Sequence, residues 1–371
     1  MDVSEASGKK VFVGLSGGVD SAVSAALLQR AGAKVTGVYL KGWYPPGMPC
    51  TWAADRRDAM RVAARLHIPF LTLDASEEYK RGVIDYMLSE YAAGRTPNPD
   101  VMCNREVKFG AFYRFAKERG ADAIATGHYA RLVREPGIPS NLGEAGHVRL
   151  SRGYDVNKDQ SYFLWAVPQE VLDATIFPVG RMGKKCVRKL AKKFNVPVAE
   201  KRDSQGVCFL GNISVEEFLR AEFGVHPGDA FDEDGRPVGK HDGALLHTLG
   251  ERVALAKARK PGPWFVLAKE VARNELVVGK ERTPRALRAR GEIVFTNAKW
   301  LGEPSRATEA QYRYRGPRVP GRVESSRGLG IQGAESQTFQ SAAPLPEIPT
   351  PGQSIVFYQG DELVGGGIIA S

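Results

Sequence analysis

The segment with the clearest chemical potential is Ser-Gly-Gly-Val-Asp-Ser at residues 16–21. It follows an apolar run at 9–15 that is typical of a buried strand, and it opens an Ala- and Leu-rich stretch that predicts a helix. Two glycines let backbone N–H groups approach an anion closely, and the start of a helix adds N–H donors and partial positive charge. Ser16 and Ser21 supply hydroxyls, and Asp20 either caps the helix or helps to hold Mg²⁺. No lysine follows the glycines, so this predicted phosphate loop differs from that of ordinary kinases and GTPases.

A second reactive position is Cys103, in the loop-like stretch 96–109. Two prolines there predict an extended loop before a helix that starts near Glu106. A thiol close to a helix start, with an arginine and a lysine nearby, is expected to have a lowered pKa and to act as a nucleophile. Asp100 precedes it by three residues and is a candidate general acid or base. The alternative is an unreactive, half-buried loop cysteine.

The remaining cysteines differ in their surroundings. Cys208 lies in a polar, glycine-containing stretch at 201–211, so Cys103 and Cys208 are a candidate redox or sulfur-carrying pair. Cys186 is expected to pack on the apolar side of a basic helix at 183–194, and Cys50 is expected to be structural. No CxxC pair is present, so we assign no metal ligands. Only four cysteines in 371 residues also favour a reducing, cytoplasmic compartment.

The elements that position these residues alternate between strand and helix. A helix over 76–93 is predicted by the apolar spacing of Val83, Met87 and Tyr91. Strands are predicted at 9–15, 34–40, 68–73 and 122–127, and further helices at 20–31 and 53–66. Such alternation predicts an α/β fold with a parallel sheet, whose ligands bind beyond the carboxyl ends of the strands.

The pattern changes toward the carboxyl terminus. We predict a catalytic domain at 1–209, a small central α+β domain at 210–284 and a C-terminal β-barrel at 285–371. Within the last part, 316–350 is expected to be rich in loops.

The charge balance indicates an anionic partner. The 52 Lys and Arg residues exceed the 42 Asp and Glu residues, which gives a net charge of +10. Nucleic acid, a nucleotide or an acidic membrane surface fits this excess, as does an inert basic surface. No run of 18 apolar residues exists, and the first ten residues do not resemble a secretory signal, so no membrane partner is expected.

Several motifs together carry a family resemblance. They include Asn-Pro-Asp-Val-Met-Cys-Asn at 98–104 and Asp-Ser-Gln-Gly-Val-Cys-Phe-Leu-Gly at 203–211. The others are the phosphate loop and the motifs at 125–129, 157–164, 247–252 and 351–358. In this order the chain resembles the tRNA-specific 2-thiouridylase family of the ATP pyrophosphatase (PP-loop) superfamily. The resemblance implies the same three-part fold, with a pyrophosphatase-type α/β domain first.

The resemblance also implies functional residues by position. Cys103 matches the nucleophile, and Cys208 matches the cysteine that receives sulfur as a persulfide. Residues 98–100 fall where the family meets the target uridine, and there we expect Asp100 to handle protons. The ATP site corresponds to Gly14, Leu15, Ser16, Gly17, Gly18, Val19, Asp20 and Ser21, with Leu40 and Gly127 on the adenine side. The tRNA contacts correspond to Asn98, Pro99, Asp100, His128, Lys158, Asp159, Gln160, Arg313, Tyr314 and Gln353.

The implied reaction is adenylation of the 2-carbonyl oxygen of the wobble uridine, followed by transfer of persulfide sulfur. ATP and Mg²⁺ are the expected cofactors, and the partners are tRNA and a persulfide donor, either a cysteine desulfurase or a relay protein. Phosphate contacts are expected from Lys184, Lys185 and Lys189 of the basic helix. Two other functions remain possible at this stage. One is an ATP pyrophosphatase for a small metabolite, and the other is a sulfur-relay or tRNA-binding module without catalysis.

Overall fold

The computed structural model describes residues 3–45, 52–134, 148–203, 214–259, 261–283, 291–329 and 335–370. The chain forms two compact units, and each is described separately. The first unit comprises residues 1–84, 99–212 and 361–363, and the second comprises 85–98, 213–360 and 364–371.

The first unit is built around a five-stranded parallel sheet. Its strands are β1 (Lys10–Gly14), β2 (Lys34–Lys41), β3 (Phe70–Asp74), β4 (Ala123–Ala125) and, further along the chain, β7 (Thr175–Ile176). Their order is β3-β2-β1-β4-β7, and β1 pairs in parallel with both β2 and β4. The direction of the strand order therefore reverses at β1, where the adjacent carboxyl ends form the binding edge of such sheets. This confirms the predicted α/β class.

Helices connect the strands of this unit and bury apolar side chains against them. They are α1 (Val19–Arg30), α2 (Trp52–Leu66), α3 (Ser76–Tyr79), α5 (Pro99–Met102), α6 (Phe112–Glu118), α7 (Gln169–Asp173) and α8 (Lys184–Lys193), while α4 (Tyr86–Ala92) falls in the second unit. Two π-helical segments, Lys80–Asp85 and Cys103–Ala111, join α3 to α4 and α5 to α6. The predicted buried stripe is confirmed, since Val83, Met87 and Tyr91 are buried. No helix among the described residues is long and apolar enough to cross a membrane.

An antiparallel pair of strands lies between β4 and β7 in the chain. It consists of β5 (Ala130–Arg134) and β6 (Val148–Arg152), paired from Ala130 with Arg152 to Arg134 with Val148. Ion pairs from Arg131 to Asp361 and from Arg149 to Glu362 attach residues 361–363 to it, at 2.7 and 2.8 Å.

The second unit contains the small central domain. A helix, α9 (Val215–Phe223), begins with a capping box in which Ser214 and Glu217 bond reciprocally. The sheet has β8 (Gly228–Phe231), β9 (Pro237–His241), β10 (Arg252–Val253), β11 (Trp264–Glu270) and β12 (Glu275–Gly279) in the order β10-β11-β12-β8-β9. Its core includes Val238, Trp264 and Val278.

The second unit also contains the predicted C-terminal β-barrel, which has six strands. Its strands are β13 (Glu292–Trp300), β14 (Glu309–Gln311), β15 (Val319–Leu329), β16 (Glu335–Ser341), β17 (Ser354–Gln359) and β18 (Glu362–Ile369). They follow the order β13-β16-β15-β14-β17-β18, and pairing of β13 with β18 closes the barrel. The stretch 316–350, expected to be rich in loops, contains loop residues at 342–350 but also the two strands β15 and β16. β15 contains two glycines, a proline and several polar residues, so its apolar alternation is too weak to reveal a strand.

Candidate active site

The phosphate loop lies where β1 ends and α1 begins, as predicted. Gly17 has φ +73°, in the left-handed region, and a Cβ there would lie 2.4 Å from the backbone oxygen of Asp55. The hydroxyls of Ser16 and Ser21 are 3.2 Å apart. Gly18 is the N-cap of α1 and no side chain caps this helix, so the capping role considered for Asp20 is wrong. An exposed Ser16 and an uncapped helix start leave this loop suited to bind an anion.

Residues from neighbouring strands adjoin the loop. Gly14 ends β1, and a Cβ there would lie 3.8 Å from Leu40 Cδ1. Gly127 follows β4, and a Cβ there would lie 2.7 Å from the backbone nitrogen of Ser21. Leu15 and Val19 are buried and anchor the loop in the core. The predicted ATP residues therefore gather at the carboxyl ends of β1, β2 and β4.

Asp20 is held in a network that sequence analysis missed. Its carboxylate accepts hydrogen bonds from Lys184 Nζ at 2.7 and 2.8 Å and from the Tyr129 hydroxyl at 2.7 Å. Burial raises the pKa of Tyr129, and the charge of Asp20 raises it further. The same Lys184 ammonium lies 2.9 Å from Asp203 Oδ1. Lys184 thus carries a positive charge to a phosphate loop that has no lysine of its own.

This network corrects the expected role of Lys184. With its side chain 14% exposed, Lys184 bonds internally rather than facing tRNA, whereas Lys185 and Lys189 are exposed. Asp203 is the last described residue before 204–213, the segment that contains Cys208. It also accepts hydrogen bonds from Lys158 and Arg188, each at 2.6 Å. In the sequence, Lys184 is recognisable only as a basic residue at the start of a predicted helix, and this does not indicate that it binds Asp20 and Asp203.

Cys103 lies inside a helix that begins earlier than predicted. The helix starts at Pro99, not near Glu106, because proline is favoured at a first helical position, where no N–H bond is lost. Cys103 is buried and is the first residue of the π-helical segment Cys103–Ala111. Phe112 of the same helix lies 3.6 Å from where a Gly14 Cβ would be, which places the helix against the carboxyl end of β1. Short π-helical segments are frequent at functional sites.

Asp100 occupies the first turn of this helix. Burial raises its pKa above the usual value, and the nearby charge of Lys108 offsets part of this rise. A carboxyl group with a raised pKa is suited to exchange protons at a reacting base. Asn98 and Pro99 precede it and are half-buried.

Two of the expected tRNA contacts lie in the interior. His128 is 8% exposed, and its ring packs against those of Phe109 and Phe177, with centroids 5.5 and 5.8 Å away. Burial lowers its pKa well below the usual value, which keeps the imidazole neutral. Asp159 is also 8% exposed, and its carboxylate accepts hydrogen bonds from Arg152, Gly153 and Ser161. In this structure both side chains are therefore engaged mainly by neighbouring protein groups.

The other expected tRNA residues are more accessible. Lys158 and Gln160 are half-buried, and Gln160 Oε1 accepts the Tyr129 N–H at 3.0 Å. In the second unit, Arg313 pairs with Glu347 at 3.0 Å and donates to the Leu249 carbonyl at 3.3 Å. Tyr314 is half-buried. Gln353 donates its amide hydrogens to backbone carbonyls of the segment before Asn98.

The cysteine predictions have mixed outcomes. Cys208 and Cys50 lie outside the described residues. Cys186 is exposed, so the prediction that it packs in the core is wrong. The buried stripe of α8 centres on Val187 and Ala191, and Cys186 precedes Val187 by one residue, which turns it about 100° away from that stripe.

We expect replacement of Asp100 by asparagine to lower the rate of the reaction that the resemblance implies by about 100-fold, because general acid–base groups contribute on that order. The variant should also be more stable than wild type at pH 7. A carboxyl whose folded pKa is raised costs stability once it ionises, so this cost grows as pH rises from about 4 through the raised pKa. Urea unfolding of both proteins from pH 4 to pH 7 tests this. A stability difference that stays constant over this range would contradict it.

Comparison with known proteins places this geometry in a family. A model described as the tRNA methyl transferase HUP domain matches residues 9–212. A tRNA methyl transferase PRC-barrel domain matches 216–280, and an aminomethyltransferase beta-barrel domain matches 290–369. The unit that holds the phosphate loop is therefore a HUP-type domain.

Similar full-length proteins identify the family more specifically than the domain models do. The chain is 42% identical over 366 residues to "tRNA-specific 2-thiouridylase MnmA" of Lysinibacillus sphaericus, covering 97% of this chain and 94% of that protein. It is 39% identical over 369 residues to the protein of the same name from Streptococcus thermophilus, covering 97% and 95%. The chain belongs to the tRNA-specific 2-thiouridylase family, which confirms the resemblance. A solved 4-thiouridine synthetase–RNA complex with bound ATP aligns at a TM-score of 0.34 and 16% identity, covering 56% of this chain and 46% of that one.

Proposed function

We propose that this chain is an ATP-dependent tRNA-uridine 2-sulfurtransferase that converts the wobble uridine to 2-thiouridine, with release of AMP and pyrophosphate. The observation that carries the proposal is the identity of about 40% to 2-thiouridylases along nearly the whole chain. The phosphate loop at the carboxyl edge of the sheet supports it, because an anion-binding loop is what a nucleotide-dependent activation needs. We further propose that the catalytic, central and barrel domains span 1–209, 210–284 and 285–371.

The 2-carbonyl oxygen of uridine is a poor leaving group and must be activated before sulfur can replace it. The uridine 2-carbonyl oxygen attacks the α-phosphate of ATP and releases pyrophosphate, so that the oxygen later departs as part of AMP. We propose that residues 14–21 hold ATP, with Leu40 and Gly127 beside the adenine. Mg²⁺ bound with ATP would neutralise negative charge on the leaving pyrophosphate. Asp20 is the carboxylate beside the loop that would face it, and its oxygens also accept hydrogen bonds from Lys184 and Tyr129.

Sulfur then replaces the activated oxygen. We propose that Cys208 carries it as a persulfide received from a donor protein, a cysteine desulfurase or a relay protein. By one route the terminal sulfur attacks C2 and expels AMP, and the Cys103 thiolate then attacks Cys208 Sγ, which releases the 2-thiouridine. By the other route Cys103 attacks Cys208 Sγ first and frees hydrosulfide, which attacks C2. Both routes end with a Cys103–Cys208 disulfide, which a two-electron reductant must reopen.

For the tRNA we propose that Asn98, Pro99 and Asp100 meet the target uridine. Lys158, Gln160 and Tyr314 are the accessible or half-buried candidates for further contacts. An anticodon loop suits this arrangement, because its unpaired bases can turn out of the stack into a protein pocket.

The direct test is one assay with tRNA, ATP, Mg²⁺ and a persulfide source, followed by mass spectrometry of the nucleosides. We expect one oxygen-to-sulfur exchange at the wobble uridine. ATP turnover that tRNA does not stimulate would favour a small-metabolite pyrophosphatase instead.

Exposed lysines of α8 are expected to contact tRNA phosphates. Replacing Lys185 and Lys189 by glutamate should weaken tRNA binding and reduce the slope of log K against log salt by about 0.7 to 0.9 for each phosphate that is no longer neutralised. The measurement is tRNA affinity between about 50 and 200 mM salt. Replacement of Lys10 and Lys34 is the matched control, because these exposed lysines start β1 and β2 at the opposite edge of the sheet. Equal slopes for both double variants would contradict the assignment.

A further inference from the structure

Residues 351–353, a loop of the barrel, bind residues 96–97 through hydrogen bonds. Residues 96–97 directly precede the segment that is proposed to meet the target base. The Thr96 N–H donates to the Pro351 carbonyl at 2.8 Å. The Gln353 amide nitrogen donates to the Thr96 carbonyl at 2.8 Å and to the Pro97 carbonyl at 3.1 Å. Residues 351–353 thus bind the N–H and the carbonyl of Thr96 and also the carbonyl of Pro97. All of these residues belong to the second unit.

Gly352 makes this close approach possible. Its φ is +90°, in the left-handed region, and a Cβ there would lie 3.0 Å from both the nitrogen and the carbonyl carbon of Thr96. The loop is itself fixed to β18, since Gly352 N–H donates to the Ile369 carbonyl at 2.9 Å and Ile369 N–H donates to the Gln353 carbonyl at 2.8 Å. A glycine is therefore required here for two reasons, its backbone conformation and the contact with Thr96.

Residues 94–96 make further contacts that do not involve the barrel loop. Gly94, with φ +77°, ends the preceding helix, and the Arg95 N–H donates back to the Glu90 carbonyl at 2.9 Å. The Arg95 guanidinium also binds Glu90 with two hydrogen bonds of 2.6 Å. The Thr96 hydroxyl lies 3.4 Å from that of Thr248. Little freedom remains for the backbone that enters Asn98.

We propose that Gly352 and Gln353 are positioning residues: they hold Thr96 and Pro97, the backbone that leads into the segment proposed to meet the target uridine. The proposal rests on the proposed function and deepens it, because it assigns a second role to the barrel besides any contact with tRNA. Both Gln353 amide hydrogens are engaged by protein carbonyls, which gives the residue a route to the reaction through Thr96 and Pro97.

The first test separates rate from affinity. Gln353→Ala removes both hydrogen bonds, and Gln353→Glu keeps the shape but replaces the donor with a carboxylate facing two carbonyls. For both variants we expect the single-turnover thiolation rate at saturating tRNA and ATP to fall about 10- to 100-fold, because misplacement by about 1 Å costs that much. The tRNA Kd should change less than about two-fold. Gln359→Ala is the control, since Gln359 is an exposed barrel amide that bonds to Arg306.

The second test uses two glycines with similar backbone conformations. Gly352→Ala forces a methyl group against Thr96, whereas Gly360→Ala, at φ +59°, meets nothing within 4 Å. We expect faster amide hydrogen exchange at Arg95, Thr96 and Asn98 for Gly352→Ala and Gln353→Ala, and wild-type exchange at these residues for Gly360→Ala. Exchange is measured without tRNA or ATP, so it reports the segment itself.

Two results would overturn the proposal. One is a Gln353→Ala variant whose tRNA Kd weakens as much as its rate, because this would make Gln353 a tRNA contact. The other is unchanged exchange at Arg95, Thr96 and Asn98 for both variants. If wild type thiolates no tRNA, the proposed function fails instead, and the exchange experiment still decides whether the loop holds the segment.

Discussion

Replacing Cys103 with serine is expected to lower tRNA thiolation by about a thousand-fold or more, since loss of a catalytic nucleophile has effects of at least this size. Serine occupies nearly the same volume as cysteine, so the buried site should keep its packing, but its hydroxyl cannot attack a persulfide sulfur usefully at neutral pH. Cys208→Ser should be equally inactive because no persulfide can form. The measurement is the yield of 2-thiouridine by mass spectrometry, with thermal unfolding as a check on folding.

Cys186→Ser is the matched control for this prediction. Cys186 is exposed on α8, so its replacement should leave both activity and stability as in wild type. Full activity of Cys103→Ser would contradict the prediction and would remove Cys103 from the mechanism.

The same variant distinguishes the two sulfur routes. If the persulfide attacks the tRNA directly, Cys103→Ser should stop with the tRNA joined to Cys208 through a disulfide. Loading Cys208 with a persulfide and adding tRNA and ATP should then give a covalent complex that thiols release as 2-thiouridine. If hydrosulfide must be freed first, no such complex should form. Denaturing electrophoresis with and without thiol reads the outcome.

Local sequence patterns predicted the parts of the site that depend on local backbone. The phosphate loop could be recognised because a strand, two glycines and a helix start are contiguous, and Gly17 does adopt the left-handed conformation that glycine permits. The apolar spacing of Val83, Met87 and Tyr91 likewise fixes one buried helical face without knowledge of its partner.

Contacts between distant segments could not be predicted from one sequence. Lys184 and Asp20 are separated by 164 positions, and nothing near either residue indicates that they meet. Gln353 and Thr96 are separated by 257 positions. The predicted packing of Cys186 failed for the same reason, because side-chain burial depends on tertiary packing that residue type alone does not encode.

Replacement of Lys184 is expected to lower both protein stability and ATP affinity. Replacing it with methionine should lower the free energy of unfolding by about 2 kcal/mol, between the values for exposed and for fully buried ion pairs. The reason is that Asp20 and Asp203 would lose the ammonium they share, at 2.7 and 2.9 Å. We also expect ATP affinity to fall by about ten-fold or more, because the phosphate loop would lose a nearby positive charge worth at least about 1.4 kcal/mol.

The pH dependence of this stability loss has a definite sign. Burial opposes ionisation of Asp203, but hydrogen bonds from Lys158 and Lys184 outweigh it and hold the pKa of Asp203 below the ordinary 3.8. A carboxylate with a lowered folded pKa stabilises the protein fully above its unfolded pKa and loses this contribution as pH falls through the folded one. The stability difference between wild type and Lys184→Met should therefore be complete at pH 7 and shrink below about pH 4.

Urea unfolding at several pH values, together with calorimetric titration by a non-hydrolysable ATP analogue, measures both effects. Lys185→Met is the matched control, because Lys185 is the next residue on α8 and is exposed. It should leave stability and nucleotide affinity close to wild type. If Lys184→Met and Lys185→Met bind the analogue equally well, Lys184 stabilises the fold through Asp20 and Asp203 but does not contribute to ATP binding. If Lys184→Met alone binds it more weakly, the lysine that the loop's own sequence lacks is supplied from α8.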